Sequence, residues 1–488
     1  MRLGQTSVVH FGSRFLASAL GFAATVFIAR FLGSSTLGTY YLVLSTVSWL
    51  GIVVTMGIPE SITKRVSEND GGDQSAYAIA GVTLGFALLL AMAILVFSLE
   101  RWVNDYIGYP ASGVIVAFLF VKLAQSTVSS TLNGQRLVHV SGIFNPIRTG
   151  TRSLIQIGAI LVGYGIGALF VGYAVGYLFV AVIGGMIVLR GFERIALPTR
   201  THYRQIAEYA KFSWLGSLRS RAFNWVDVAV LGFFVSSSLV GIYTAAWNIA
   251  VFLILFGGSL SETLFPEMSA LSAEKGLDSV SDLFETALAY AGLILIPGLV
   301  GGILLGERLL LVYGEEFTRG ATVLSVLILA TLIQGYQRQF TATLNAVDRP
   351  DLAFRINAVF IVANVVLNVG LIPFYGVIGA AGATAASVGV SLVVAYATLS
   401  RVLEFSVPTD EIARQWVSAG AMGVVVYGLL QAESAYLDIN SNLVIVLFLV
   451  FLGAGAYFLS LLGVSARFRK TVVDNIPDRL IPEWIGRG

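Results

Sequence analysis

The sequence predicts an all-α polytopic membrane protein of about 14 transmembrane helices, with two pseudo-symmetric six-helix lobes plus two C-terminal helices. Three observations carry that expectation. Apolar runs of about 18 residues or more recur from end to end, which is the length a helix needs to cross a bilayer. Of 488 residues, 56% are hydrophobic and only 12% charged, and mean hydropathy is +0.83, so there is too little polar surface for a soluble domain of this size. Rare polar residues also recur at a fixed offset between the two halves, the mark of an internal repeat. A transmembrane β-barrel would show short alternating segments, and these runs are continuous.

In order, the predicted spans are 7–32, 37–57, 76–99, 111–132, 144–163, 166–190, 208–234, 239–262, 283–305, 319–341, 353–373, 376–400, 414–431 and 442–464. The first apolar run, SVVHFGSRFLASALGFAATVFIARFLG, is too long for a signal-peptide core and contains Arg14, so it reads as the first span. The longest connections, near 58–75, 191–207, 263–282 and 401–413, are too small to fold as domains. One set of connections holds Lys64, Arg65, Arg136, Arg190, Arg194, Arg200, Arg204, Lys211, Lys275, Arg349 and Arg401, and the tail adds more cations. The opposite set holds little beyond Arg101, Arg308 and Arg319. By the positive-inside rule both termini are cytoplasmic. The tail from Ser465 reads as a cytoplasmic or interfacial amphipathic segment. Cysteine is absent, which excludes a disulfide framework and a thiolate metal site. The net charge of +2 names no partner.

The repeat appears when the sequence is shifted by 212. Leu132-Asn133-Gly134 falls on Leu344-Asn345-Ala346, Lys122 on Gln334, Gln125 on Gln337, Asn145 on Asn357, Arg152 on Asn364 and Gln156 on Asn368. Earlier in each half the offset is nearer 203–207, where SSTLGTYY resembles SSSLVGIYT and Pro59-Glu60 recurs at Pro266-Glu267. Six helices per copy is an even number, so both copies enter the membrane in the same sense, related by an axis along the membrane normal. The expected organisation is a lobe of residues 1–200, a second lobe of 201–410, two further helices within 411–464, and a tail of 465–488.

Seven cations, Arg14, Lys122, Arg148, Arg152, Arg219, Arg221 and Arg338, lie inside predicted spans. Facing lipid together they would cost on the order of 20 kcal/mol on insertion scales, less for those near helix ends that can snorkel. They are therefore expected to face protein or water. Asn145, Arg148, Arg152 and Gln156 are spaced three, four and four, so they share one helix face. Ser217, Arg221, Asn224 and Asp227 form a comparable face. Arg219 and Arg221 are two apart, about 200° around the helix, and point different ways. The candidate substrate-binding set is Arg14, Lys122, Arg148, Arg152, Arg219, Arg221 and Arg338, with the polar residues Gln125, Asn145, Gln156 and Asn364. Asp227 is the one obvious buried acid. It reads either as an ion-pair partner of Arg221 or Arg14, or as a site for a coupling ion or proton. A cationic cavity suits an anionic ligand, and arginine forks bind phosphate oxygens bidentately. Pro297, with Gly298, Gly301 and Gly302, is placed to bend its helix. No G-x-x-x-x-G-K-[ST] pattern is present, which leaves no nucleotide-binding signature of that type.

The stretches ARFLGSSTLGTYYLVLS and LNGQRLVHVSGIFNPIRTGTRS, with the 14 spans and the repeat, resemble the polysaccharide-biosynthesis flippases. These are the O-antigen and lipid-linked oligosaccharide flippases of the multidrug/oligosaccharidyl-lipid/polysaccharide exporter superfamily. The resemblance covers residues 1–464. It implies a plasma-membrane transporter and not an enzyme. It further implies that the transporter uses no cofactor and carries an undecaprenyl- or dolichyl-linked phosphate or pyrophosphate saccharide to the outer leaflet by alternating access. Membrane lipids and glycan polymerase or transferase machinery are the implied partners, nucleic acid is not, and a monomer is expected. Two other readings compete. A multidrug exporter of the same superfamily should carry more acids than bases in its cavity. A membrane saccharide polymerase, ligase or glycosyltransferase should carry a sizeable outer loop or a paired-carboxylate metal site.

Overall fold

The computed structural model describes residues 3–69, 73–276, 278–436 and 441–475, with the side chains of 3–15, 212, 215–217, 255–263, 275, 278, 434–436 and 475 outside the description. Among the described residues the regular structure is helical throughout. The chain divides into two compact units. Unit 1 is Met1–Thr244 with Asn368–Ala380, and unit 2 is Ala245–Leu367 with Ala381–Gly488.

Unit 1 begins with α1 (Leu3–Thr55), which Gly33 interrupts at φ 77°, ψ 173°. The predicted spans 7–32 and 37–57 lie on either side of that break. Next come α2 (Ile58–Glu68), α3 (Asp73–Ser98), α4 (Glu100–Ile107), α5 (Ser112–Gly134), α6 (Val138–Leu161), α7 (Ile166–Gly191), α8 (Arg200–Ser213), α9 (Leu215–Phe234) and the start of α10 (Ser237–Lys275). Sequence left 58–75 and 191–207 as connections, yet α2 and the first half of α8 occupy parts of them. The reason is local amphipathicity. Ile58, Ile62 and Val66 fall at i, i+4 and i+8 and are buried together with Tyr77, Ala80, Ile206 and Ala210. Phe86, Leu90 and Ile94 on α3 are exposed at the same spacing, a stripe suited to lipid.

Two features of unit 1 set the geometry of its polar residues. The first is the crossing of α6 and α7. A Cβ at Gly172 would fall 2.3 Å from Gln156 Cγ, and one at Gly176 2.9 Å from Arg152 Cβ. These glycines, four apart, therefore let the two helices approach nearly backbone to backbone, as small residues do in membrane bundles. The second is the end of α5. Leu137 N–H donates to Leu132 O at 2.8 Å and Arg136 N–H to Asn133 O at 3.1 Å, with Arg136 left-handed at φ 62°. This is a Schellman cap.

The same stop recurs 212 residues on, in unit 2. There Arg349 N–H donates to Leu344 O at 2.8 Å and Asp348 takes φ 56°. Gly165 (φ 53°, ψ −135°) and Gly376 (φ 54°, ψ −132°) likewise share a backbone that a side chain would strain.

Unit 2 contains the rest of α10, α11 (Asp278–Ala291), α12 (Leu295–Leu311), a 3-10 turn (Glu315–Gly320), α13 (Ala321–Ala346), α14 (Pro350–Leu399) apart from its Asn368–Ala380 segment, α15 (Thr409–Tyr436), α16 (Asn442–Val464) and α17 (Ala466–Asn475). Gly376 breaks α14 near the boundary between the predicted spans 353–373 and 376–400. The bend expected at Pro297 is present. Gly292–Ile294 is a turn between α11 and α12, just upstream of a residue that cannot donate to Leu293 O. Phe284, Leu288, Phe340, Leu344, Ile356 and Leu399 anchor the core of this unit. The tail helix α17 is capped by Ser465, whose Oγ accepts from Phe468 N–H at 2.9 Å and donates to Glu411 Oε1 at 2.5 Å.

Among the described residues, nine stretches are long and apolar enough to cross a membrane. Two of them, Leu16–Thr55 within α1 and Pro350–Leu399 within α14, each cover most of two predicted spans. The predicted spans 144–163, 208–234 and 414–431 correspond to α6, α9 and α15, whose polar residues keep them outside those nine.

Candidate functional site

Six of the seven predicted cations belong to unit 1, and four of them sit on three helices: Lys122 on α5, Arg148 and Arg152 on α6, and Arg221 on α9. All four are half-buried. The close approach of α6 and α7 brings the arginines of α6 against tyrosines of α7. The Arg148 guanidinium carbon lies 4.7 Å above the Tyr177 ring, and Asn145 Oδ1 accepts from Arg148 Nη2 at 2.6 Å. Behind Tyr177 the rings continue as a column, Tyr173 at 4.4 Å and Phe118 a further 4.0 Å on. Lys122, Arg148 and Arg152 all act electrostatically on the Tyr177 phenol. Arg152 also neighbours Tyr40, Tyr41 and Tyr173, and its buried Nε has no hydrogen-bond partner among the described residues. Arg221 Nη1 donates to the Ser48 carbonyl on α1 at 2.7 Å.

No described carboxylate lies within 4.0 Å of any of these four cations; Glu60 acts on Arg221 from farther away. A carboxylate partner would cancel their charge. An aromatic face holds a guanidinium with about 0.5–2 kcal/mol and leaves the charge available to a ligand.

The other predicted residues sit as follows. Gln125 donates to Ser129 Oγ at 2.8 Å. Gln156 is 1% exposed and donates to Leu169 O at 2.9 Å and Tyr40 OH at 3.2 Å, so it is packed into the helix crossing. Arg219 is half-buried on α9. The side chain of Arg14 lies outside the described residues. Arg338 and Asn364 belong to unit 2; Arg338 is half-buried on α13, and Asn364 is fully buried with its Nδ2 donating to Thr384 Oγ1 at 3.2 Å.

Asp227 is buried in unit 1, 4% exposed. Its Oδ1 accepts from Asn368 Nδ2 at 2.8 Å and its Oδ2 from the Tyr243 hydroxyl. Arg221, one of the two ion-pair partners considered from sequence, bonds to a backbone carbonyl instead.

Sequence reasoning missed Tyr40, Tyr41, Tyr173 and Tyr177. The signal for two of them was present, since Tyr173 and Tyr177 are four apart in an apolar span. Unit 2 has a cavity of about 860 Å³ lined by Glu307, Arg308, Glu315, Glu316 and Arg319. It contains none of the predicted site residues, and Arg308 there is already paired with Glu433 at 2.6 Å.

Comparison with known proteins adds four findings. The model of the family described as polysaccharide biosynthesis protein matches residues 3–272. The chain is 31% identical over 482 residues to the probable flippase AglR of Haloferax volcanii, covering 98% of this chain and 99% of that protein. It is 28% identical over 437 residues to the probable low-salt glycan biosynthesis flippase Agl15 of the same organism, covering 88% and 90% respectively. In fold it is similar to the lipid II flippase MurJ in an inward closed conformation, with a TM-score of 0.78 at 16% identity over 96% of this chain and all of that one.

Proposed function

The chain belongs to the polysaccharide biosynthesis protein family, and from this premise we propose that it is a flippase for a polyprenyl-linked saccharide. It carries an undecaprenyl- or dolichyl-linked phosphate or pyrophosphate saccharide from the cytoplasmic to the outer leaflet by alternating access. The plasma membrane is its location, and both termini are cytoplasmic. Residues 1–200 and 201–410 act as the two lobes.

The observation that carries this reading is the set Lys122, Arg148, Arg152 and Arg221, backed by tyrosines and a carbonyl with no described carboxylate in contact. Such a set attracts a phosphate and repels a cationic drug. The names of the two Haloferax relatives and the fold shared with MurJ point the same way. Arg14 and Arg219 extend the basic lining in unit 1, and Arg338 is a further candidate anion contact in unit 2. Gln125 and Asn145 supply its neutral polar contacts within unit 1. Asp227, held by Tyr243 and Asn368, is the coupling site for an ion or proton.

The test is charge reversal in cells that depend on this protein for surface glycan. Arg152→Glu and Arg221→Glu should each abolish glycan assembly at unchanged protein level. Normal assembly in both would remove phosphate binding from these residues.

A further inference from the structure

We propose that the connector between α7 and α8, residues 192–199, docks on anionic lipid. Ile195 and Leu197 enter the bilayer surface, and Arg190, Arg194 and Arg200 hold the headgroups around them. The inference is independent of what the protein carries.

The stretch from Arg190 to Arg204 contains four arginines and one acid, Glu193. Residues 195–199 have no regular structure, and Pro198 favours extended backbone at Leu197. Alternate side chains of an extended chain point opposite ways. Ala196 is half-buried, and its N–H donates to Ser75 Oγ, at the start of α3, at 2.9 Å. Ile195 and Leu197 point away from the protein, 69% and 83% exposed. Large apolar side chains flanked by arginines suit a membrane surface, with the apolar groups sunk inward and the cations among the phosphates.

Depth decides between membrane and water. Val82 is the first member of the exposed apolar stripe that continues through Phe86, Leu90 and Ile94 on α3. Ser75 precedes Val82 by seven residues, about 10 Å along a helix axis. The headgroup layer on each side of the hydrocarbon core is roughly 5–8 Å thick. Ser75 and the connector bonded to it therefore lie at headgroup level. Helix α8 holds the connector there by covering the first turns of α3. Tyr77 OH donates to Gln205 Oε1 at 2.5 Å, Thr83 Oγ1 donates to Tyr203 OH at 3.2 Å, and Ile206 and Ala210 are buried with Tyr77 and Ala80. Among the described residues Arg204 has a carboxylate partner, Glu208 at 3.5 Å. Arg190, Arg194 and Arg200 are exposed and have none within 4.0 Å, so their charge is left for headgroups.

The chain contains no cysteine, so Ile195→Cys provides a single thiol for an environment-sensitive fluorophore. The labelled full-length protein is placed in nanodiscs of phosphatidylcholine alone or mixed with phosphatidylglycerol. Quenching is read with spin-labelled phosphatidylcholine and with aqueous acrylamide. Anionic nanodiscs should give blue-shifted emission and lipid quenching. Both should decrease in neutral nanodiscs, and also on raising salt from about 0.1 to about 1 M, which shortens the Debye length from about 10 to about 3 Å. Arg194→Gln together with Arg200→Gln should remove the anionic increment and leave the neutral-nanodisc signal as it was. All these positions are exposed, so the variants should fold; if labelled Ile195→Cys does not, Leu197→Cys carries the label instead.

A dye quenched by acrylamide and not by lipid in anionic nanodiscs overturns the proposal and leaves this face to a soluble partner. Equal lipid quenching in neutral and anionic nanodiscs also overturns it. So does an anionic increment that survives the loss of both arginines, since lipid contact would then owe nothing to them.

Discussion

The hydroxyls of Ser34 and Ser238 meet at 2.6 Å, although 204 residues separate them and each lies in a different copy of the internal repeat. The contact is reciprocal around them. A Cβ at Gly38 would lie 1.7 Å from Ser237 O, and one at Gly241 2.0 Å from Ser34 O. The two copies of the SS-x-L motif therefore pack against each other through glycines that admit no side chain.

Gly38→Ala and Gly241→Ala should each destabilise the protein by about 1–3 kcal/mol or more, because the clash is with backbone carbonyls that cannot rotate away. The double variant should cost less than the sum, since both parts open the same contact. Thermal melts of detergent-solubilised protein, read by size-exclusion profile, check this. Melting at the wild-type temperature would mean the helices do not approach as closely as described.

Tyr177 should matter through its ring. Tyr177→Phe keeps a face under Arg148 and the column with Tyr173, and it should retain binding of a prenyl phosphate. Tyr177→Ala removes both and should weaken binding roughly three- to thirty-fold, the scale of a cation–π contact. Equal damage from both variants would shift the role to the phenol oxygen.

Asp227 separates charge from structure. Asp227→Ala strips the Tyr243 hydroxyl and the Asn368 amide of this acceptor and should cost about 1–3 kcal/mol. Asp227→Asn keeps an acceptor oxygen and should fold, yet flipping in proteoliposomes should no longer respond to an imposed cation or proton gradient. A full gradient response in Asp227→Asn would remove it as the coupling site.

Ser465→Ala should loosen the tail helix by about 1 kcal/mol, the worth of an N-cap, and should leave Glu411 held by Arg414 alone. Faster proteolysis beyond residue 465 with unchanged core stability is the expected result. Identical proteolysis rates in variant and wild type would show that the cap does not hold the tail.

Most of the architecture was legible because membrane helices announce themselves by length and apolarity. The breaks at Gly33 and Gly376 fall at or beside the gaps between predicted spans. Helix α2 was not seen because its apolar stripe, Ile58, Ile62 and Val66, is one face of an 11-residue helix, too short for a span and too polar on average. At the site, cations inside apolar runs were easy to find, and their surroundings were not. A tyrosine reads as ordinary apolar mass, so Tyr177 carried no flag. The anchor of Arg221 is the backbone carbonyl of Ser48, which has no sequence signature.

Unit 1 has a consequence for how the protein is made. It includes Asn368–Ala380, so a chain emerging from the ribosome has Asp227 long before its amide partner Asn368, 141 residues later. At about 5–20 residues per second that wait is on the order of ten seconds. During translation the first half of the molecule must persist with an incomplete acid site, and the late arrival of one α14 segment closes it.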